Sequence, residues 1–180
     1  FNSSLLAENY YKNKNYNKSK KILNNFNKNN TVYHWYKIKK FAEIIKKEKG
    51  SEESLSYIRN EFNKIENPSI KIIYDMANTI KSFEEYELSI EYYSEVLSLL
   101  DEKSLIYADI LFRRGGSYER LGEEKKSDED MLMSLEINPD EPYVLNYLAY
   151  SWLERNYKVE TAMQMLIKAY NQRKNDPYII

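Results

Sequence analysis

A recurrence of about 35 residues constrains this chain more than any other feature. The small residues Ser19, Ser54, Ser89, Ser127 and Ala162 follow one another at steps of 35, 35, 38 and 35 residues. Four positions after each stands a large apolar residue: Leu23, Ile58, Tyr93, Met131 and Leu166. That offset places the pair one turn apart on a single helical face. A unit this short cannot bury its apolar faces alone, so successive units must stack to build a core.

The first half of each unit carries its own stripe at helical spacing. The stripes are Leu6, Ala7 and Tyr10; Ile38, Phe41, Ala42 and Ile45; Ile73, Met76, Ala77 and Ile80; Leu111, Gly115 and Tyr118; and Leu145, Leu148, Ala149 and Trp152. A small residue (Ala7, Ala42, Ala77, Gly115, Ala149) holds one register throughout, where close helix contact favours a short side chain. The punctuation agrees. Gly50 and Gly122 fall between the two helices of their units, and Asn138-Pro139 closes the fourth. Ser82-Phe-Glu-Glu85 reads as a capping box opening a second helix. Pro68, Pro142 and Pro177 suit the first turn of a first helix.

These residues resemble the tetratricopeptide repeat, a helix–turn–helix unit of about 34 residues. The fourth unit matches at Gly115, Tyr118 and Pro139, with Ser127 and Met131 where Ala and Phe are usual. The fifth matches at Leu148, Ala149, Trp152, Ala162, Leu166 and Ala169. The resemblance implies an all-α fold, a right-handed superhelical solenoid of helix–turn–helix repeats. It divides residues 1–180 into units at about 1–33, 35–68, 70–103, 108–141 and 142–177, with a sixth starting at 177–180. The opening on Phe1 is read as a fragment of a longer protein. More weakly, the segment from Asn146 to Ile180 is similar to long exported repeat proteins of Gram-negative bacteria. That similarity implies an adaptor, with a periplasmic or outer-membrane-associated setting slightly favoured over the cytoplasm.

Composition narrows the function. With no Cys and a single His34, thiolate and histidine-pair metal sites are excluded, and no metal or cofactor is expected. Gly115-Gly116 is not followed by the Gly-Lys-Ser/Thr of a phosphate loop. His34 reads as a helix-start residue, and Asp128-Glu129-Asp130 as charge on a solvated face. No catalytic residue emerges, and an enzyme is not expected. No apolar run reaches the ~18 residues of a membrane span.

The resemblance points to a protein or peptide partner held on the first helices. By register the exposed side of those helices presents Tyr36, Lys39 and Glu43, then Tyr74, Asn78 and Lys81. Further on it presents Asp109, Phe112, Arg113 and Gly116, and finally Tyr143, Asn146, Tyr147 and Tyr150. The partner-binding residues expected to matter most are Tyr36, Lys39, Tyr74, Asn78, Phe112, Arg113, Asn146 and Tyr147. Gly116 leaves open space among them. A clamp for a terminal carboxylate is not expected, because Glu43 follows Lys39 by one turn and Tyr74 precedes Asn78. Two alternatives stand beside this reading. Lys12, Lys14, Lys18, Lys20 and Lys21, interleaved with Tyr10, Tyr11 and Tyr16, offer phosphate contacts and stacking to a nucleic acid. The near-neutral sequence pI of 6.1 weighs against it. Self-association, including a homodimer through exposed repeat ends at Tyr178, Ile179 and Ile180, is the other.

Overall fold

The computed structural model describes residues 2–26 and 30–179. Ten α-helices, and no strand, occur among the described residues: α1 (Asn2–Lys12), α2 (Tyr16–Asn24), α3 (Thr31–Lys49), α4 (Ser51–Phe62) and α5 (Ile70–Lys81), then α6 (Tyr86–Ser98), α7 (Leu105–Arg120), α8 (Glu124–Ile137), α9 (Pro142–Glu154) and α10 (Val159–Gln172). They group into two compact units, residues 1–84 and residues 85–180. Helices α1 and α2 pack as a hairpin, as do α3 and α4, α7 and α8, and α9 and α10.

The helix starts have local causes. Asn15, Asn30 and Ser104 are N-caps whose side chains accept from the backbone N–H of Lys18, Tyr33 and Tyr107. Each satisfies one of the orphan donors of a first turn. Pro142 opens α9 at a position where its missing N–H costs nothing. Gly50, at φ +111°, is the lone residue between α3 and α4, and Gly122, at φ +74°, lies in the turn before α8. His34 lies in the first turns of α3, its N–H donating to the Asn30 carbonyl at 2.8 Å.

The repeat marks are the centre of the packing. Ser19, Ser54, Ser89, Ser127 and Ala162 are all buried, and so are Ala7, Ala42, Ala77, Gly115 and Ala149. Of the large partners, Leu23, Ile58, Tyr93 and Met131 are completely buried, while Leu166 is half-buried. In residues 1–84 the serines also bond across their hairpins. Ser19 Oγ donates to the Ala7 carbonyl at 2.9 Å, and Ser54 Oγ to the Ala42 carbonyl at 2.5 Å. The two bonds repeat with the period of the sequence. Lys40, buried one turn of core away, reaches the carboxylates of Glu8 at 2.7 Å and Glu43 at 2.5 Å.

Residues 85–180 lock their hairpins differently at the repeat marks, although Ser134 Oγ of α8 also donates to the Ala108 carbonyl of α7 at 2.8 Å. A Cβ at Gly115 would stand 3.1 Å from Met131 Cγ and 3.2 Å from the Ser127 carbonyl oxygen. The glycine therefore lets α7 and α8 touch. Beside it, Arg114 grips Asp130 with two bonds of 2.8 and 2.7 Å and donates to Ser94 Oγ at 2.9 Å. Arg155 joins α9 to α8 through Asp128 at 2.7 Å and Glu124 at 3.3 Å. Ser127 Oγ has no hydrogen-bond partner among the described residues.

Five expectations change. Asp130 is buried and ion-paired, and Asp128 is bridged, so the acidic run is not simply a solvated face. Ser82 is the C-cap of α5, its hydroxyl donating to the Thr79 carbonyl, and Glu85 takes the N-cap of α6; no capping box forms. Pro68 precedes the Ser69 N-cap of α5, and Pro177 lies in a turn outside any described helix. Leu6 is exposed, because α1 offers α2 only the face carrying Ala7. Ile179 is buried against Leu145 and Ala169, so it does not form an open repeat end; Ile180 lies outside the described residues.

Candidate functional site

In residues 85–180 the first helices α7 and α9 line an open cleft of about 470 Å³. Phe112 and Tyr147 form its aromatic floor, meeting edge to face with ring centroids 5.7 Å apart. Such pairs add about 0.5–1.5 kcal/mol beyond their buried area. Arg113 and Asn146 stand on the same walls, so this cleft unites four of the residues expected from the sequence. Arg113 Nε donates to Asp109 at 2.8 Å, an exposed pair one turn apart on α7. Asn146 Nδ2 donates to the Tyr178 carbonyl at 3.2 Å. The amide thus already bonds main chain, that of a turn at the end of the described residues.

The tyrosines of the cleft are held by carboxylates. Tyr147 Oη donates to Glu119 at 3.0 Å, and Tyr143 Oη donates to Asp176 at 2.6 Å. Burial, then the Glu119 charge, pushes the Tyr147 phenol up to about 12. The hydrogen bond to Asp176 is the main cause that raises Tyr143, and the same bond holds Asp176 below the usual carboxylate range. Both phenols are neutral at physiological pH and act as donors. Sequence reasoning placed Tyr143 here but missed Glu119, Asp176 and Tyr178, which lie outside α9's register and reach it only through the fold.

In residues 1–84 a second cleft, of about 440 Å³, brings Lys39 and Asn78 together with Glu43, Asp75 and Phe83. Lys39 Nζ bonds Asp75 at 2.9 Å, and Asn78 Nδ2 donates to the Tyr74 carbonyl at 3.1 Å. Glu43 and Asp75 would repel a ligand carboxylate, in line with the sequence argument against a carboxylate clamp. Tyr36 is not part of this cleft. It stacks on Phe26 at 6.0 Å and packs on the Ala7–Leu23–Ile44 cluster. Tyr74 is half-buried and does not line the cleft either. Gly116 is buried inside α7 and not open toward the cleft.

The stacking platform expected of the N-terminal tyrosines is largely spent on packing. Tyr11 and Tyr16 face each other at 5.9 Å against the Ala7–Leu23–Ile44 cluster, and Lys18 stands over the Tyr10 ring at 5.4 Å. At the other end, α10 exposes Met163, Ile167 and Tyr170 along one face. Among the described residues no helix is long and apolar enough to cross a membrane, and no group of three His, Cys, Asp or Glu side chains could hold a metal ion.

No protein-family model and no curated protein sequence matches the chain. Solved structures match it through the fold. MamA from RS-1, as an ArsTM double mutant, is 12% identical with a TM-score of 0.68, covering 97% of this chain and 94% of that one. MamA from MSR-1 is 16% identical with a TM-score of 0.64, covering 96% and 95%. PilF of Pseudomonas aeruginosa is 13% identical with a TM-score of 0.63, covering 94% and 74%. MamA and PilF are tetratricopeptide-repeat proteins, and this chain has the same all-α helix-pair repeat fold.

Proposed function

We propose that the chain is a non-enzymatic protein-interaction scaffold, and that it holds an extended partner segment in the cleft lined by α7 and α9. One observation carries the reading. The edge-to-face pair of Phe112 and Tyr147 lies on the floor of an open cleft whose wall amide, Asn146, already donates to a backbone carbonyl. Peptide recognition draws on those two elements, aromatic anchors for affinity and side-chain amides for main-chain register. The volume is within the range of sites that take a few side chains. The Lys39–Asn78 cleft supports a second contact region on the same type of helix.

The test places a photo-crosslinking amino acid at position 113, on the cleft wall, or at position 132, where Leu132 is exposed on α8. Partner adducts are expected from 113 and not from 132. Phe112→Ala should lower the adduct yield about thirtyfold, as loss of an anchoring aromatic costs ~2 kcal/mol or more. Thermal melting confirms that the variant is folded. Equal cross-linking from both positions, or a yield indifferent to Phe112, overturns the assignment of the cleft.

A further inference from the structure

Several aromatic rings of this protein are covered by its own cations. Lysine or arginine heads stand over Tyr10, Tyr11, Trp35, Phe83, Tyr118 and Trp152, at 4.2–5.9 Å from the ring centroids. The rings of the cleft in residues 85–180 are not among them. No cation of the described residues stands over Phe112, Tyr147 or Tyr143 there. Arg113, the cation that lines this cleft among the described residues, is directed at Asp109.

The surrounding chemistry favours positive charge. Glu141 and Asp109 line the walls, and Glu141 is bonded by the neutral amide of Asn138 at 3.1 Å, which leaves its charge uncancelled by that contact. Glu119 and Asp176 accept from the phenols of Tyr147 and Tyr143. A phenol that donates to a carboxylate gains electron density on its ring, so the face it shows the cleft attracts cations more strongly. Arg120, beside Glu119 at 3.9 Å, is largely solvated and screens this only in part. The whole unit adds to the field, with nineteen acidic against eleven basic side chains in residues 85–180.

We propose that this cleft selects partner segments bearing a lysine or arginine, with the cationic head against the rings of Phe112, Tyr143 and Tyr147 and beside Glu141. The inference rests on the peptide-binding reading above and adds the charge of the ligand to it. The cleft of residues 1–84 lacks this selectivity, because Lys46 already covers its Phe83 ring at 4.2 Å and Lys39 its Asp75 carboxylate.

The experiment is selection of a random heptapeptide display library on the 180-residue chain, followed by affinities of individual synthetic peptides in 0.05 and 0.3 M NaCl. Enrichment of Lys/Arg-bearing peptides is expected, with binding that weakens about tenfold across that salt range. Glu141→Gln, which keeps the Asn138 acceptor, should weaken these peptides about threefold to tenfold. Arg113→Gln removes the positive charge from the wall and should tighten them by a similar factor, a gain that misfolding does not mimic. Acidic or purely apolar peptides that still depend on Phe112 would overturn the basic-ligand inference while leaving the peptide-binding cleft intact. No enrichment, or enrichment indifferent to Phe112, would overturn both.

Discussion

The hairpins of residues 1–84 and the α7–α8 hairpin of residues 85–180 share a register but differ in the chemistry at the repeat mark. In the first unit a buried serine on each second helix bonds the carbonyl of the small residue on its first helix, Ser19 to Ala7 and Ser54 to Ala42. In α7–α8 the equivalent serine, Ser127, has no such bond, and Gly115 replaces the alanine. The helices there approach through the missing Cβ, and Arg114–Asp130 ties them together, with Ser134 Oγ bonded to the Ala108 carbonyl one register away from the mark. The comparison teaches that the repeat specifies where two helices come close, and leaves open what bonds them there. A neutral hydroxyl–carbonyl bond contributes about 1 kcal/mol. A buried ion pair contributes little net but is costly to halve.

That contrast can be broken where the asymmetry is greatest. Asp130→Ala leaves the Arg114 guanidinium in a largely buried place with Ser94 as its remaining bond partner among these contacts. The expected loss is about 3 kcal/mol, read from urea unfolding followed by far-UV circular dichroism. A loss under ~1 kcal/mol would mean that the pair contributes nothing specific to the hairpin. Gly115→Ala comes next. The helix itself favours alanine by ~1 kcal/mol, but the added Cβ meets Met131 Cγ at 3.1 Å and the Ser127 carbonyl, a backbone atom, at 3.2 Å. Overpacking costs of ~1–3 kcal/mol win, for a net loss of about 1 kcal/mol in the same measurement. A stabilised variant would show that α8 is free to move away.

The finest distinction is a matched pair of serine deletions. Ser54→Ala removes a buried bond and should cost about 1 kcal/mol. Ser127→Ala removes a buried hydroxyl that bonds nothing and should be neutral or stabilise by a few tenths of a kcal/mol. Equal effects would erase the difference between the units.

The sequence made the backbone plan legible because packing repeats with the chain. Small residues at one register are buried in every unit, since a helix pair stacked at a fixed distance needs them there. Half of the candidate site was legible for the same reason. Phe112, Arg113, Asn146 and Tyr147 share a cleft because they share a register on α7 and α9. What sequence could not show depends on side-chain reach between elements. Asp130 sits in an acidic run and looks solvated until α7 brings Arg114 alongside it, sixteen residues away. Tyr36 has the register of a binding residue, yet Phe26, in the segment before α3, claims its ring. Glu119 and Asp176 reach Tyr147 and Tyr143 from 28 and 33 residues away, at no fixed spacing.

Gly122 carries a consequence of another kind. Its φ is +74°, and a Cβ built there meets nothing within 4 Å. The turn thus has no steric need for glycine and an entirely stereochemical one, since the backbone adopts the hand that L-residues resist. A mirror-image amino acid has the opposite preference. In a semisynthetic protein, D-alanine at position 122 should fit without strain and restrict the unfolded chain. That would raise stability by about 0.4–1 kcal/mol, whereas L-alanine at the same place should lower it. The sign of the response to chirality alone would report the handedness of this turn in solution.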